Sequence, residues 1–127
     1  MNWNEGANKL EEMTRTGEVT WIQQSSIRYS DFSRSAIIVG IPYFCEFDGS
    51  SFALYEIRFQ AYNDDNGLYW RHTAVLELVD DDGRLLKELI AGSGPTLSLL
   101  EEVRTKLSGA EGVLNKLLSK GVKKPTK

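Results

Sequence analysis

The residues whose types could support catalysis or metal binding are concentrated between positions 62 and 83. Two acidic clusters, NDDN at 63–66 and DDD at 80–82, flank a segment that contains His72, the only histidine. Carboxylates and a histidine can hold a metal ion or exchange protons. If the intervening segment is a strand, however, about twelve residues at ~3.3 Å each separate the clusters by roughly 40 Å. Because a glycine follows each cluster, we predict two turns and no metal site.

A catalytic role for His72 would require a nucleophile, and the candidate is Cys45, the only cysteine. In the predicted strand, His72 lies on the same side as Trp70. This side carries more apolar residues than the other, so we predict that it faces the core, with His72 near the open end of the core. A nucleophile–base dyad needs both side chains within hydrogen-bond reach and a third group that orients the base. No motif around Cys45 indicates such an arrangement, so we predict no catalytic residue. A small-molecule-binding or hydrolytic pocket with Trp70, His72 and Cys45 is the alternative hypothesis.

The segment AGSGPT at 91–96 follows a predicted strand and precedes a predicted helix. A phosphate-binding loop would lie at such a position. The segment lacks the Gly-Lys-Ser/Thr ending of a P-loop and the glycine spacing of a dinucleotide-binding turn. We therefore predict a flexible connector and no cofactor.

Aromatic and arginine side chains on the strands suggest a protein-binding surface. Most aromatics are expected in the core, but Tyr69 and Arg71 alternate opposite to the apolar set of their strand. Arg58 belongs to the polar set of the preceding strand. Exposed aromatics and arginines are typical of protein-binding sites. We predict that Arg58, Tyr69 and Arg71 contribute to one such surface.

The composition indicates a single globular domain in a reducing compartment. The chain has 127 residues, 41% hydrophobic and 26% charged, which is ordinary for one folded domain. A single cysteine allows no internal disulfide. The longest apolar run, at 36–45, is too short to span a bilayer, and the first residues lack signal-peptide features. We expect a cytoplasmic location and no membrane contact.

The charges are unevenly distributed along the chain. Residues 1–103 carry 8 Lys/Arg against 17 Asp/Glu, a net −9, whereas residues 104–127 carry 7 against 1, a net +6. The basic end could contact nucleic acid through Lys120, Lys123, Lys124 and Lys127, but it has no interleaved aromatics. We interpret Lys116 and Lys120 as complementing the negative end of the last helix, and the remaining lysines as keeping a frayed terminus soluble. Residues 1–120 are predicted to form one α+β domain, and residues 121–127 a basic, flexible tail.

The elements that must position these residues follow from periodicity. Trp3, Ala7, Leu10 and Met13 share a helical face, with Asn4 as the predicted N-cap and Gly17 as the end. The segments EVTWIQ, AIIVGIPYFCEF, YEIRFQA, LYWRHTAVLELV and RLLKELI read as strands. The serine-rich segment at 23–35 is either a loop or a short strand around residues 27–29 with a turn on each side. Short connections rich in Asp, Asn and Gly can join only antiparallel neighbours.

The last third of the sequence is predicted to be helical. Ser98 followed by Glu101 reads as a capping box, and Ser108 followed by Glu111 repeats the spacing, so one or two helices are predicted. A seam runs along the helical segment, and it either packs on the sheet or forms a homodimer contact. Its residues are Leu100, Val103, Leu107, Ala110, Leu114 and Leu117.

The predicted fold class is therefore α+β, with an N-terminal helix, an antiparallel meander of five or six strands and one or two C-terminal helices packed on it. The element order also resembles the pleckstrin-homology-like superfold. That resemblance implies, as an alternative, a curved sheet or barrel capped by the C-terminal helix. The predicted function is a non-enzymatic protein-binding module in an adaptor, chaperone-like or toxin-neutralising role, with another protein as partner.

Overall fold

The computed structural model describes residues 2–24, 36–63 and 67–123, which contain three helices and five strands. The predicted short strand around residues 27–29 lies outside them. The helices are α1 (Trp3–Thr16), α2 (Gly94–Ser108) and α3 (Ala110–Lys123). The strands are β1 (Ile22–Gln23), β2 (Ala36–Phe47), β3 (Ser50–Asn63), β4 (Gly67–Val79) and β5 (Leu85–Ala91).

The strands form one antiparallel sheet in the order β1-β2-β3-β4-β5. This arrangement confirms the predicted α+β meander. Among the described strands β1 and β5 occupy the two edges, so the sheet is open and the barrel alternative is wrong. The turn at 80–83 is also as predicted: the Asp80 carboxylate accepts hydrogen bonds from the backbone N–H groups of Asp82 and Arg84, both at 2.9 Å.

Helix α1 begins two residues earlier than predicted. Asn2, rather than Asn4, is the N-cap, and its side chain accepts a 2.9 Å hydrogen bond from the Asn4 backbone. Gly17 ends the helix as predicted, with a φ of 85° that favours glycine. The polar Thr14 on the buried face donates to the Leu10 carbonyl and accepts from the indole N–H of Trp21. These bonds fix the segment that leaves α1 against the helix.

Strand β2 bends in its middle, where Pro42 predicts an edge or a bend. The pairing with β3 shifts between Val39 and Tyr43, and Gly40 lies within this irregularity with a φ of 79°. Because proline offers no backbone N–H to the ladder, a bulge accommodates Pro42 inside a central strand. Beyond the bend, the ladder of β2, β3 and β4 continues for several residues.

The core lies between one sheet face, here called the helix face, and helices α1 and α2. Trp3 packs edge-on against Phe52 of β3, with ring centroids 6.4 Å apart. Leu54 and Leu76 are fully buried on the helix face. The helices contribute Ala7, Leu10, Met13, Leu99, Leu100 and Val103 to the same cluster.

Two helices follow the sheet, and the first begins earlier than predicted. Ser93, not Ser98, is the N-cap of α2, and its hydroxyl accepts from the Thr96 backbone at 3.2 Å. Ser98 lies inside α2 and donates to the Glu11 carboxylate of α1 at 2.9 Å. Gly109, with a φ of 70°, ends α2. Of the one or two helices predicted, the structure therefore has two, separated at Gly109, and α3 continues to Lys123.

Candidate protein-binding surface

The sheet extends beyond the two packed helices, and its extension exposes the helix face. We call the segments 36–39, 56–63 and 67–73 the outer half of the sheet. Ala74 and Leu76 of β4 are fully buried, whereas Trp70, on the same face of that strand, is 47% exposed. The prediction that this side of β4 faces the core is therefore correct. The helices, however, cover only its inner part, which contains Ala74 and Leu76.

Five large side chains on the helix face of the outer half form what we call the aromatic surface. The pairing of β2 with β3 and of β3 with β4 places all of them on one face. All are exposed, and Tyr62 is the most exposed at 81%. The five are Ile37, Arg58, Tyr62, Leu68 and Trp70.

Arg58 and Trp70 form the centre of the aromatic surface. Arg58 is paired with His72, so Trp70 is its diagonal neighbour on the adjacent strand, within reach of long side chains. The guanidinium carbon of Arg58 lies 4.8 Å from the centroid of the indole ring. This is a cation–π contact. It holds the arginine against the tryptophan and leaves the N–H groups at its edge for an external acceptor.

An ion-pair chain marks the boundary between the covered and the exposed halves. Arg104 of α2 donates to Glu56 at 2.6 Å, and the Nδ1 of His72 lies 2.8 Å from the other oxygen of the same carboxylate. Partial burial is the largest influence on the pKa of Glu56 and acts to raise it. The hydrogen bonds from Arg104 and His72 together outweigh burial and hold that pKa below its usual range. Glu56 is thus an ionised acceptor that anchors α2 to the sheet.

The structure separates the three predicted protein-binding residues onto two faces. Arg58 lies on the helix face, but Tyr69 and Arg71 point to the opposite face, where they pair with Ala61 and Phe59. The prediction of one surface shared by all three is therefore wrong. The reason is the register of β3 with β4: Arg58 is paired with His72, an even position of β4, whereas Tyr69 and Arg71 are odd positions and lie on the opposite face.

The structure also separates Cys45 from His72. Cys45 is paired with Phe52, while His72 is paired with Arg58, six positions further along β3. At ~3.3 Å per residue this is about 20 Å along the strand, far beyond hydrogen-bond reach. Burial raises the pKa of the Cys45 thiol to about 12, so the thiol is protonated at neutral pH and a poor nucleophile. The dyad of the hydrolytic alternative is not formed.

Sequence reasoning missed three members of the aromatic surface: Ile37, Tyr62 and Leu68. Tyr62 shares the alternation of Arg58 along β3, and this was the available signal. If only the alternation of apolar and polar residues is considered, the core is expected to reach the ends of the strands. The outer half is exposed because α2 covers only the inner half of the sheet. The spacing of residues within a strand does not predict how far a helix extends over it.

At the other end of the sheet is a cleft of ≈560 Å³, which we call the acidic cleft. Ile22, Phe44, Val79 and the wall residue Cys45 give it an apolar interior. Its rim carries Glu46, Asp80, Asp81 and Asp82, and no Lys or Arg is present among the described residues that line it. The acidic cleft and the aromatic surface lie at opposite ends of β4, with about nine residues or ~30 Å between Val79 and Trp70.

A buried hydrogen bond between two side chains lies on the sheet face opposite to the helices. Tyr55 donates its phenol hydrogen to the Glu77 carboxylate at 2.6 Å, and both residues are buried. Burial is the main cause that raises the pKa of Tyr55, and the hydrogen bond to Glu77 raises it further. The hydrogen bond gives the buried Tyr55 hydroxyl and the buried Glu77 carboxylate a polar partner in place of water.

The predicted seam of the C-terminal helices is divided by the fold. Leu100 and Val103 are buried in the core. For these two residues the first alternative, packing within the chain, therefore holds. Leu107, Leu114 and Leu117 are exposed. Of the lysines considered for nucleic acid, Lys120 is exposed, and Lys124 and Lys127 lie outside the described residues.

Two other features are absent from the described ranges. No three His, Cys, Asp or Glu side chains there converge so that they could hold a metal ion. None of the helices in the same ranges has the length and apolar character needed to cross a membrane. No protein-family model matches the chain, and comparisons with curated proteins and with solved structures found no match.

Proposed function

We propose that this protein is a non-enzymatic protein-binding module and that the aromatic surface is its binding site. The observation that carries the proposal is the exposed contact between Arg58 and Trp70. Tryptophan, tyrosine and arginine are the residue types that contribute most to binding free energy in protein interfaces. On the aromatic surface all three types stand together, surrounded by Ile37 and Leu68.

The rigidity of the aromatic surface supports the same proposal. Its residues lie on paired strands rather than on a loop, and the cation–π contact fixes two long side chains in one arrangement. Side chains that are already ordered lose less conformational entropy when a partner binds. The surface is therefore suited to recognition without large rearrangement.

The charge of the aromatic surface indicates the chemistry of the partner. Arg58 forms no ion pair among the described residues, and the neighbouring carboxylate of Glu56 is already bound by Arg104 and His72. A partner that offers a carboxylate beside an apolar group would satisfy both the guanidinium edge and the indole ring. We therefore propose a protein partner with an acidic and apolar contact site.

Adaptor, chaperone-like and toxin-neutralising proteins all act through such surfaces, and the proposal covers these three roles. It includes a cytoplasmic location, for which the single buried thiol of Cys45 is the support, since a chain without disulfides needs no oxidising compartment.

Photo-crosslinking in cells tests the proposed surface and captures the partner in the same step. A photo-reactive amino acid replaces Tyr62 on the aromatic surface or, as the matched control, Leu86 on β5, which is 59% exposed. We expect a discrete crosslinked protein from position 62 that is absent from position 86 and is lost when Trp70→Ala is added. Crosslinks of equal yield from both positions, or a position-62 crosslink that persists in the Trp70→Ala variant, would contradict the proposal.

A further inference from the structure

We propose that two copies of this chain form a reciprocal dimer in which α3 of each copy docks into the acidic cleft of the other. This inference is independent of the proposed partner, because it uses neither Arg58 nor Trp70. It rests on two features that the described residues of one chain leave unmatched: an amphipathic helix without a packing surface among them and a cleft that none of them fills with opposite charge.

The first feature is the apolar stripe of α3. Every described side chain of this helix, from 110 to 120, is exposed. The only described element with which α3 makes substantial contact is the end of α2. Val113, Leu114, Leu117 and Leu118 nevertheless recur at the spacing that places them on one helical face. Each is more than half exposed, so the stripe is suited to burial that the described residues of the same chain do not supply.

The second feature is the composition of the acidic cleft. Its interior is apolar, with Ile22 55% exposed and Phe44 half-buried beside it. The volume of ≈560 Å³ falls within the range of ~300–1,000 Å³ for clefts that hold small ligands. A cleft of this size accepts a few side chains rather than a whole helix, and it matches one short apolar stripe.

The charges of the two features are opposite. Lys116 and Lys120 are one helical turn apart, so they run along one flank of the stripe. The rim of the acidic cleft offers four carboxylates. With the stripe inside the cleft, the lysines would meet the aspartates of the turn at 80–82. The same complementarity is visible in the whole sequence, which has a net −9 before Arg104 and a net +6 from that residue onward.

Reciprocity doubles the area of the contact. One helix stripe in one cleft is a small interface, and stable complexes bury about 1,600 Å² in total. A two-fold axis repeats the helix–cleft contact twice and closes the assembly at two copies. The aromatic surface is at the far end of β4 and remains free in each copy.

Sedimentation of the full-length chain and of single-residue variants tests the dimer. Leu117→Asp places a charge in the stripe, and Ser119→Asp places the same charge on the opposite face of α3 as its control. Asp81→Lys reverses the rim of the cleft, and Glu101→Lys makes the same reversal on α2, outside the cleft. All four side chains are exposed, so folding should be retained, and circular dichroism verifies it. Leu118→Asp serves as a second stripe variant.

We expect the wild-type chain to sediment as a dimer of the 14.3 kDa protomer. Leu117→Asp and Asp81→Lys should each raise the dissociation constant by about tenfold or more, whereas both controls should stay within roughly twofold. An equimolar mixture of the Leu117→Asp and Asp81→Lys chains should dimerise more tightly than either variant alone. One helix–cleft contact of the mixed dimer carries neither substitution, and the other brings the introduced negative charge toward the introduced positive charge.

Three results would overturn the proposal. The first is a wild-type chain that stays monomeric at roughly 100 µM, well above the dissociation constants of specific dimers. The second is a dimer that Leu117→Asp dissociates and Asp81→Lys does not, which would indicate helix-to-helix contact. The third is a monomer whose α3 instead binds anionic lipid vesicles and loses that binding in Leu117→Asp, which would assign the stripe to a membrane surface.

Discussion

Arg58 lies over the indole ring of Trp70, with its guanidinium carbon 4.8 Å from the ring centroid, on a part of the sheet that no described helix covers. The two residues come from adjacent strands and are diagonal neighbours in the ladder. An apolar residue would normally be buried at such a position of the helix face. Trp70 is exposed instead, with the positive charge of Arg58 above its ring. These two properties are the structural basis of the proposed protein-binding function.

Replacing Glu56 with glutamine should weaken the attachment of α2 to the sheet. The variant loses the charge that binds Arg104 and His72, and we expect the free energy of unfolding at pH 7 to fall by ~1–3 kcal/mol. Urea denaturation measures this change. Glu101→Gln is the matched control, because Glu101 forms no ion pair within the described parts of the chain.

The effect of Glu56→Gln should depend on pH in one direction. The folded state holds the pKa of Glu56 below its usual value of 4.5. The ionised Glu56 carboxylate, through its bonds to Arg104 and His72, therefore contributes stability above that value, and the contribution is lost as the pH falls through the lower pKa of the folded protein. The difference between wild type and variant should shrink below about pH 4.5. A difference that grows on acidification would contradict the assigned role of Glu56.

The buried thiol of Cys45 should destabilise the fold at alkaline pH. Its pKa rises from 9.0 to about 12 on folding, so its contribution is complete below pH 9 and is lost between pH 9 and about 12. Cys45→Ala removes this dependence, and urea denaturation as a function of pH should show a steeper alkaline loss for wild type. A thiol reagent should react slowly at pH 8 and rapidly in denaturant. Fast reaction of the folded chain would show that Cys45 is exposed.

Two glycines near the junction of α2 and α3 should respond oppositely to alanine. Gly109 has a positive φ, which costs an alanine roughly 1–2 kcal/mol. Gly112 lies inside α3 with nothing within 4 Å of an added Cβ, so alanine should favour the helix by up to ~1 kcal/mol. Far-ultraviolet circular dichroism during heating should show earlier helix loss for Gly109→Ala and later loss for Gly112→Ala. Equal responses would mean that the junction is not in the described conformation.

The fold was largely predictable, because hydrophobic periodicity and short turns are local signals. The alternation of β4 correctly places Ala74 and Leu76 in the core, and Gly17 correctly marks the end of α1. The predicted start of α2 is wrong because Ser98 matches a capping box in sequence, although Ser93 makes the cap. Ser98 instead bonds to Glu11 of α1, a contact across the chain that a local pattern cannot contain.

The candidate site was only partly predictable, since it depends on which part of the sheet the helices leave uncovered. Residue type and parity identify Arg58. Local patterns assign Trp70 to a pocket with Cys45 and do not single out Tyr62. The exposure of Trp70 and Tyr62 follows from where α2 ends its contact with β3 and β4, and this is a property of the assembled fold. The separation of Tyr69 from Arg58 follows from strand register, which periodicity within one strand does not specify.

The most direct measurement of the proposed function compares two arginine variants in a titration against the protein captured by crosslinking. Arg58 and Arg71 are exposed residues on neighbouring strands but on opposite faces of the sheet. We predict that Arg58→Ala raises the dissociation constant by about tenfold or more and that Arg71→Ala changes it by less than roughly twofold. Loss of affinity in Arg71→Ala with full affinity in Arg58→Ala would contradict the assignment of the aromatic surface as the binding site.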